Sequence, residues 1–330
     1  MTNWKIFLNR LIRDPHEGRL KKVLLFPLAL LSLVYGCIVR TRISFYRRGI
    51  YRTRSLPCKV ISVGNLTLGG TGKTPFVLLL AEMIRKEKLR PIVLSRGYGG
   101  AFRGPMGVVS DGEKVLMGPA QCGDEPFLMA MKLKDIPVVV GPGRWAAGRA
   151  ALEKFGADVI ILDDGFQHLG LRRDLNLLLL DATCPFDNGW VFPRGGLREP
   201  KSEIRRADAV VLTKVDPGVK IADLKGKLSE LGIRAPVFRV RYEVREMESP
   251  DGKGPLNAGA LRGKKVLGFS GIARPESFEN SLRGLGAEIL GMVAFPDHHA
   301  YADRELKELE RSAMRSGADA LITTEKDLVR

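Results

Sequence analysis

The segment from Lys59 to Ile84 constrains the fold of this chain more than any other. An apolar, β-branched run from Lys59 to Val63 predicts a strand, and the run from Phe76 to Ile84 predicts an apolar helix. Between them lies the Gly-rich stretch GNLTLGGTGKTP, residues 64–75. This order of strand, loop and helix is typical of a P-loop, in which backbone N–H groups and the helix N-terminus converge on phosphate oxygens. The segment therefore predicts a nucleoside triphosphate site.

The loop also offers side chains for phosphate chemistry. Lys73 is placed to bridge the outer phosphates, and Thr74 can ligate magnesium. Pro75 fits because the first turn of a helix has no N–H partner to lose. Thr67 stands where the GxxxxGK[ST] pattern has its first glycine. The predicted nucleotide-binding residues are Gly69, Gly70, Thr71, Gly72, Lys73 and Thr74.

A second apolar strand ends in two carboxylates. Residues 157–162, ADVIIL, are followed by Asp163 and Asp164. Carboxylates in this position serve as the magnesium partner in P-loop proteins, whereas a helix cap or a turn is the alternative explanation. Further strands are predicted at 92–95, 138–140, 177–180 and 209–213, with helical stretches such as 145–155 between them. The alternation predicts an α/β fold with a doubly wound, mostly parallel sheet that binds ligands at its strand C-termini.

The N-terminal end is both basic and apolar. The chain has 53 Lys and Arg against 37 Asp and Glu, a net charge of +16, and residues 1–60 hold thirteen of the basic residues with only two acids. Residues 23–39 carry no charge, and residues 4–12 have the spacing of an interfacial helix. This pattern favours attachment to anionic lipid, by lying in the interface or by spanning, with a buried core helix as the alternative. Because the charge is concentrated at one end, no nucleic-acid surface is expected.

One motif indicates a different class of P-loop protein. The tetrapeptide TKVD, residues 213–216, follows a predicted strand and resembles the guanine-reading [NT]KxD of GTPases. It supports an alternative function, a P-loop GTPase or an NTP-driven assembly factor. A plain turn at the end of a strand explains the same four residues equally well.

Seven segments, in order along almost the whole chain, resemble one family. They are residues 62–75, SRGYG at 95–99, GDEP at 123–126, DDGFQH at 163–168, GLREP at 196–200, FPDH at 295–298 and TTEKD at 323–327. On these segments the chain is similar to the tetraacyldisaccharide 4'-kinases of lipid A synthesis. The resemblance implies a phosphotransferase that moves the ATP γ-phosphate, with magnesium, to the 4'-hydroxyl of a tetraacylated glucosamine disaccharide 1-phosphate. It implies the cytoplasmic face of the inner membrane, where this anionic glycolipid and membrane lipids are the expected partners and no obligate protein partner is inferred.

The resemblance also implies roles for individual residues. The catalytic residues it implies are Asp124, His298, Lys73, Asp163 and Arg198. Asp124 is expected to accept the proton and His298 to orient it, although the residues alone favour a helix N-cap for Asp124 and a surface loop for His298. The expected metal ligands are Thr74, Asp163, Asp164 and Glu199. Independently of the resemblance, the loops after the predicted strands at 92–95 and 138–140 border the P-loop. The expected acceptor-binding residues are therefore Ser95, Arg96, Arg144, Gln167 and His168, with solvated arginines as the alternative for Arg96 and Arg144.

Four regions are expected along the chain. They are membrane-associated helices at 1–40, a P-loop kinase domain at 41–235, a linking strand and loop at 236–263, and a smaller α/β lobe at 264–330. Alternating apolar and charged residues from Phe238 to Val244 predict a half-exposed linking strand. A strand at 266–270, a helix from Pro275 and a helix at 302–316 make up the expected smaller lobe.

Overall fold

A computed structural model describes residues 23–215, 221–249 and 256–330 of the chain. The predicted interfacial helix at 4–12 and Asp216, the last residue of the TKVD motif, lie outside the described residues.

The larger sheet confirms the predicted doubly wound architecture. Its strands are β1 Lys59–Asn65, β2 Pro91–Ser95, β3 Gly107–Ser110, β4 Val138–Val140, β5 Val159–Asp163, β6 Leu175–Asp181, β7 Ala209–Thr213 and β8 Val237–Arg239. They lie in the order β3-β4-β2-β5-β1-β6-β7-β8. Every neighbouring pair is parallel except β3 with β4. All residues of β2, β4, β5 and β7 are buried, as expected of strands covered on both faces of a parallel sheet.

Helices cover both faces of this sheet. They are α1 Phe26–Arg47, α2 Lys73–Lys86, α3 Pro119–Cys122, α4 Asp124–Lys132, α5 Arg144–Phe155 and α6 Ile221–Glu230. Helices α2 and α4 pack with Val93 and Ile161 on one face, whereas α5 packs with Ile92 and Ile160 on the other. Because neighbouring strand residues point to opposite faces, a single apolar strand contributes side chains to the hydrophobic core on each face of the sheet.

Helix α1 packs by a single stripe on loops that follow strands β5 and β6 of the larger sheet. Its buried residues are Ser32, Gly36, Val39 and Ile43, at the three- and four-residue spacing of one helix face. Ser32 Oγ donates to the Val191 carbonyl at 2.7 Å, and the Tyr35 hydroxyl donates to the Arg198 carbonyl at 3.0 Å. Within the described ranges α1 is the one helix whose length and composition allow it to cross a membrane.

The C-terminal part of the chain forms two smaller sheets. Strands β9 Glu246–Met247 and β10 Leu256–Asn257 pair antiparallel. Strands β11 Lys265–Ser270, β12 Glu288–Ala294 and β13 Ala320–Ile322 form a parallel sheet in the order β12-β11-β13. The accompanying helices are α7 Pro275–Gly284, α8 Asp303–Ser316 and α9 Glu325–Leu328.

The predicted linking strand from Phe238 to Val244 is wrong beyond its first residues. Strand β8 ends at Arg239, and no strand is assigned from 240 to 245 within this described stretch. The Val240 N–H still donates to the Leu212 carbonyl at 2.8 Å, after which the chain leaves the sheet. This departure brings the Tyr242 hydroxyl to the Gly72 carbonyl of the P-loop, at 2.7 Å.

Candidate active site

The P-loop joins β1 to α2, as the sequence predicts. Gly69 and Gly72 have φ angles of 103° and 77°, which a residue with a side chain adopts only with strain. A Cβ at Gly72 would also collide with the Tyr242 ring. The Lys73 ammonium lies 3.3 Å from Asn65 Oδ1 and 3.6 Å from Asp164 Oδ1. The loop therefore holds a partly buried cation at the C-terminal end of β1.

Three successive carbonyls of the P-loop are bound by side chains from outside the loop. Lys214 Nζ donates to the Gly70 carbonyl at 3.0 Å, and Thr213 Oγ1 donates to the Thr71 carbonyl at 3.0 Å. The Gly72 carbonyl is the one bound by Tyr242. Since each peptide carries its N–H opposite its C=O, holding the carbonyls outward favours N–H groups turned toward a phosphate. Sequence reasoning missed this role of Thr213, Lys214 and Tyr242, although the TKVD motif marked two of them.

The carboxylates at the end of β5 lie beside the P-loop. Ser95 Oγ, at the end of β2, donates to Asp163 Oδ2 at 2.8 Å, while the buried Oδ1 has no hydrogen-bond partner. Burial raises the pKa of Asp163 to about 6, with Glu125 and Asp164 adding to the rise. Asp164 lies 2.7 Å from Arg198 Nη1. Burial raises the pKa of Asp164, but the charges of Lys73 and Arg198 outweigh it, so the pKa is lowered.

The predicted acceptor residues line the same cleft as the P-loop, between the larger sheet and the C-terminal sheet. Arg96 is exposed on this cleft, whereas Arg144 is 3% exposed. The Arg144 guanidinium donates to the carbonyls of Asp163 at 3.0 Å and Gly141 at 3.2 Å, so the solvated alternative is wrong for this residue. Residues 164–170, here called the acceptor loop, carry Gln167 and His168. Burial lowers the pKa of His168 to about 4, and nearby arginines, Arg144 first, lower it further.

Asp124 and His298 meet across the cleft. The Asp124 carboxylate lies 3.1 Å from His298 Nδ1 and accepts from Arg330 Nε at 2.6 Å. Gly123 is the N-cap of α4 and no side chain caps it, so the cap interpretation of Asp124 is wrong. Burial raises the pKa of Asp124, but hydrogen bonds from His298 and Arg330 outweigh it, so the pKa is lowered. The carboxylate is therefore ionised at neutral pH.

Known proteins are similar in sequence to this chain along nearly its full length. The family model of tetraacyldisaccharide-1-P 4'-kinase, LpxK, matches residues 24–330. The chain belongs to this family. A tetraacyldisaccharide 4'-kinase of Syntrophus aciditrophicus (strain SB) is 44% identical over 329 residues, which cover 97% of this chain and 88% of that protein. One of Desulfatibacillum aliphaticivorans is 44% identical over 312 residues, covering 92% and 83%. A crystal structure of LpxK from Aquifex aeolicus in complex with ATP superimposes with a TM-score of 0.72 at 34% identity, covering 93% of this chain and 89% of that one.

The tetraacyldisaccharide-1-P 4'-kinase family implies ATP with Mg²⁺, and the residues of this cleft fit that metal. The unpartnered Oδ1 of Asp163 is a buried anionic oxygen that a cation would satisfy. Together with Thr74 and Asp164 it offers the oxygen ligands that Mg²⁺ prefers. Within the described ranges no three His, Cys, Asp or Glu side chains form a metal cage, so phosphate oxygens and water would complete the coordination.

Glu199 is engaged differently from the other three expected ligands. It is 1% exposed and forms a short ion pair with Arg206. Burial raises its pKa. Its metal role stays a prediction, because the contacts in this structure tie it to Arg206 rather than to Asp163 or Thr74.

Arg330 is a further residue of this site that sequence reasoning missed. Arg330 Nη1 donates to the Gly271 carbonyl at 2.6 Å and to Asp327 Oδ1 at 2.8 Å. These two hydrogen bonds fix the orientation of the guanidinium group that donates to Asp124. The TTEKD segment that supplies Asp327 was part of the family resemblance. No local spacing pointed from Arg330 to Asp124, a residue 206 positions away.

Proposed function

We propose that this chain transfers the γ-phosphate of ATP to the 4'-hydroxyl of a tetraacyl disaccharide 1-phosphate. The observation that carries the proposal is the shared cleft. It is lined by a P-loop with paired carboxylates and, from the C-terminal part of the chain, by His298, which binds the ionised Asp124 of α4. Membership of the tetraacyldisaccharide-1-P 4'-kinase family supplies the substrate class.

The residues of the nucleotide half bind and orient the triphosphate. Backbone N–H groups of the P-loop and the Lys73 ammonium bind the phosphate oxygens. Thr74, Asp163 and Asp164 would hold magnesium, which would neutralise negative charge on the transferred phosphoryl group. Arg198 holds Asp164 and adds a positive charge beside it. These contacts strengthen as negative charge spreads over the phosphoryl oxygens, which stabilises the transition state.

The acceptor half supplies the base. Asp124 is ionised, so it can accept the proton of the 4'-hydroxyl as the oxygen attacks phosphorus. His298 and Arg330 fix the carboxylate, and because they lower its pKa the protonated form is short-lived. His168 remains neutral above its pKa of about 4, so it can hydrogen-bond sugar hydroxyls without adding charge. Arg96, Ser95 and Gln167 complete the proposed acceptor surface.

Helix α1 supports attachment to the cytoplasmic face of the inner membrane by partial insertion. The inner face of α1 is buried along its length: Leu25, just before the helix, is 2% exposed, and Ser32, Gly36, Val39 and Ile43 are buried within it. A helix that keeps one face on the protein presents only its outer face to lipid, whereas a spanning helix is surrounded by a hydrocarbon core about 30 Å thick. Outward-facing Phe26, Leu30 and Leu31 are all more than half exposed. This arrangement supports an interfacial helix over a spanning one, on the side of the membrane where ATP is available.

The test is direct phosphorylation by the purified chain. ATP, magnesium and the tetraacyl disaccharide 1-phosphate are expected to give a bisphosphorylated lipid with the new phosphate at the 4'-position, measured by mass spectrometry and NMR. The same disaccharide with its 4'-hydroxyl blocked is the control and should give no product. Nucleotide hydrolysis without lipid product, together with a strong preference for GTP, would contradict the proposal and favour the GTPase interpretation of TKVD.

A further inference from the structure

A second cavity lies behind the acceptor loop, at the C-terminal end of α1. Its volume is about 320 Å³, and apolar residues such as Ile43 and Leu171 form part of its wall. Its charged lining residues are Arg47, Arg172, Arg173 and Arg206. No carboxylate among the described residues lines it.

The positive charge in this cavity is only partly compensated. Arg47 and Arg206 both pair with Glu203, and Arg206 also pairs with Glu199. The guanidinium of Arg173 donates to the His168 carbonyl, and among the described residues no carboxylate forms an ion pair with it. Burial lowers the pKa of Arg173 to about 10, and the charge of Arg206 lowers it further. Like charges held together in a half-buried space favour binding of an anion.

A neutral polar group in the wall also lacks a partner. Asn176 is 9% exposed, and its Oδ1 atom has no hydrogen-bond partner. The two orientations of an Asn amide are assigned from its hydrogen bonds, so either end can face the cavity, including the N–H₂ donors that would bind an anionic oxygen. An unpartnered amide beside four guanidinium groups is a binding surface for a phosphate.

The cavity lies where lipid phosphates would be. Residues 23–39 are uncharged, and Arg40, Arg42, Arg47 and Arg48 follow in the last part of α1. If the apolar beginning of α1 enters the membrane, as the proposed function has it, the basic end lies at headgroup level. We propose that the cavity binds the phosphate group of a lipid at the membrane surface, either a phospholipid headgroup or the 1-phosphate of the acceptor.

Such a site would also position the acceptor loop. Arg206 Nη1 donates to the Phe166 carbonyl at 3.2 Å, and Arg173 donates to the carbonyl of His168. Arg42, on α1, donates to the carbonyl of Gln167 at 3.2 Å. Three arginines therefore hold three successive carbonyls of the loop that carries Gln167 and His168. A phosphate bound to Arg173 and Arg206 would fix these two guanidinium groups and the loop with them.

The first experiment measures lipid binding without activity. The full chain is co-sedimented with phosphatidylcholine vesicles that either contain or lack phosphatidylglycerol, comparing wild type with Arg172→Gln/Arg173→Gln. We expect the double variant to lose about tenfold or more in affinity for the anionic vesicles and nothing on the neutral ones. Arg48→Gln/Arg52→Gln is the matched control, because it removes two charges near the same helix end at exposed residues outside the cavity. We expect this control to lose about threefold or less.

The second experiment identifies the source of the phosphate and rests on the proposed kinase activity. In neutral detergent, KM is measured for acceptors that carry or lack the 1-phosphate. A rise in KM of about tenfold for the 1-phosphate acceptor alone assigns the cavity to the substrate. If the KM for the 1-phosphate acceptor is unchanged but the affinity for anionic vesicles is still lowered, the cavity binds a phospholipid headgroup. If the Arg172→Gln/Arg173→Gln variant has native thermal stability, binds vesicles as the Arg48→Gln/Arg52→Gln control does and leaves both KM values unchanged, the proposed site is wrong. An inactive enzyme would count against the proposed function and leave the vesicle result valid.

Discussion

The pKa values of two aspartates at the cleft are shifted in opposite directions by their surroundings. Burial raises the pKa of Asp163 to about 6, and the nearby carboxylates of Glu125 and Asp164 add to the rise. Asp124 is partly buried as well, but His298 and Arg330 lower its pKa. The first carboxylate gains from a cation that cancels the repulsion, whereas the second is already ionised and able to take a proton. Their positions at a strand end and at the first turn of a helix would not have separated these roles.

Lys73 is expected to be essential for phosphoryl transfer. In Lys73→Ala the P-loop backbone still forms, but the cation that binds the outer phosphates is lost. We expect kcat to fall by at least about 100-fold with an unchanged melting temperature. Lys86→Ala, at the exposed end of the same helix, is the control and should keep wild-type activity. A fully active Lys73→Ala variant would refute the kinase proposal.

His168 gives the folded state a defined dependence on pH. Its pKa in the folded chain is about 4, below the value of about 6.5 of an unperturbed histidine. Between these values the unfolded chain binds more protons, so this group lowers the free energy of unfolding as pH falls through that window. In His168→Gln the contribution is absent, and urea unfolding from pH 7 to 4 should show a shallower decline. Identical declines in both proteins would mean that His168 is not neutral in the fold.

At the scale of helices and strands, apolar runs predicted the larger sheet well. Strands β4 and β7 begin and end where the sequence places them, because a run buried on both faces has little freedom in its limits. The alternating run from Phe238 was misread because a period of two residues indicates an extended backbone without specifying a partner strand. The contacts of Tyr242 with Gly72 and of Arg330 with Asp124 join residues 170 and 206 positions apart. Such contacts depend on the assembled fold, so the sequence could not predict them.

The outer face of α1 is expected to bind the membrane without contributing to folding. Leu30 is 55% exposed, so Leu30→Glu should leave the melting temperature unchanged and lower affinity for vesicles by about tenfold or more. Met314→Glu, at a residue 79% exposed on α8, is the control and should bind as wild type does. Chain that stays in the membrane fraction after an alkaline carbonate wash would instead indicate a spanning helix.

The linking segment after β8 is expected to influence ATP binding through Tyr242. In Tyr242→Phe the ring remains beside Gly72, but the hydrogen bond to the Gly72 carbonyl is lost. A net loss of about 1 kcal/mol should raise KM for ATP about fivefold and leave KM for the acceptor unchanged. Tyr51→Phe, at a ring 44% exposed, is the control. Equal changes in both KM values would argue for a general effect on stability.

At the scale of the whole molecule, ion pairs hold the two sides of the cleft together. Arg274 binds Asp181 at 2.6 Å, Lys326 binds Glu125 at 3.0 Å and Lys132 binds Glu325 at 2.7 Å. Each pair joins the larger sheet or its helices to the C-terminal part of the chain. The contacts of Asp124 with His298 and Arg330 also join α4 to the C-terminal part of the chain. The proposed base is therefore complete only when the C-terminal part is packed against the larger sheet and its helices.

A double-mutant cycle tests whether Asp124 and His298 act as one unit. Asp124→Asn and His298→Ala are each expected to lower kcat by about 100-fold or more with little change in KM for ATP, because neither residue belongs to the P-loop. The double variant should be scarcely worse than the worse single one, since groups that act together are strongly non-additive. Independent groups would instead multiply their losses.

Asp124→Asn alone separates chemistry from architecture. Asparagine keeps the size of the side chain and can still accept a hydrogen bond from Arg330, but it cannot take up the proton of the 4'-hydroxyl. A folded and inactive Asp124→Asn enzyme, with the melting temperature of wild type, is therefore the expected result. Near wild-type turnover in this variant would mean that Asp124 only joins the two sides of the cleft.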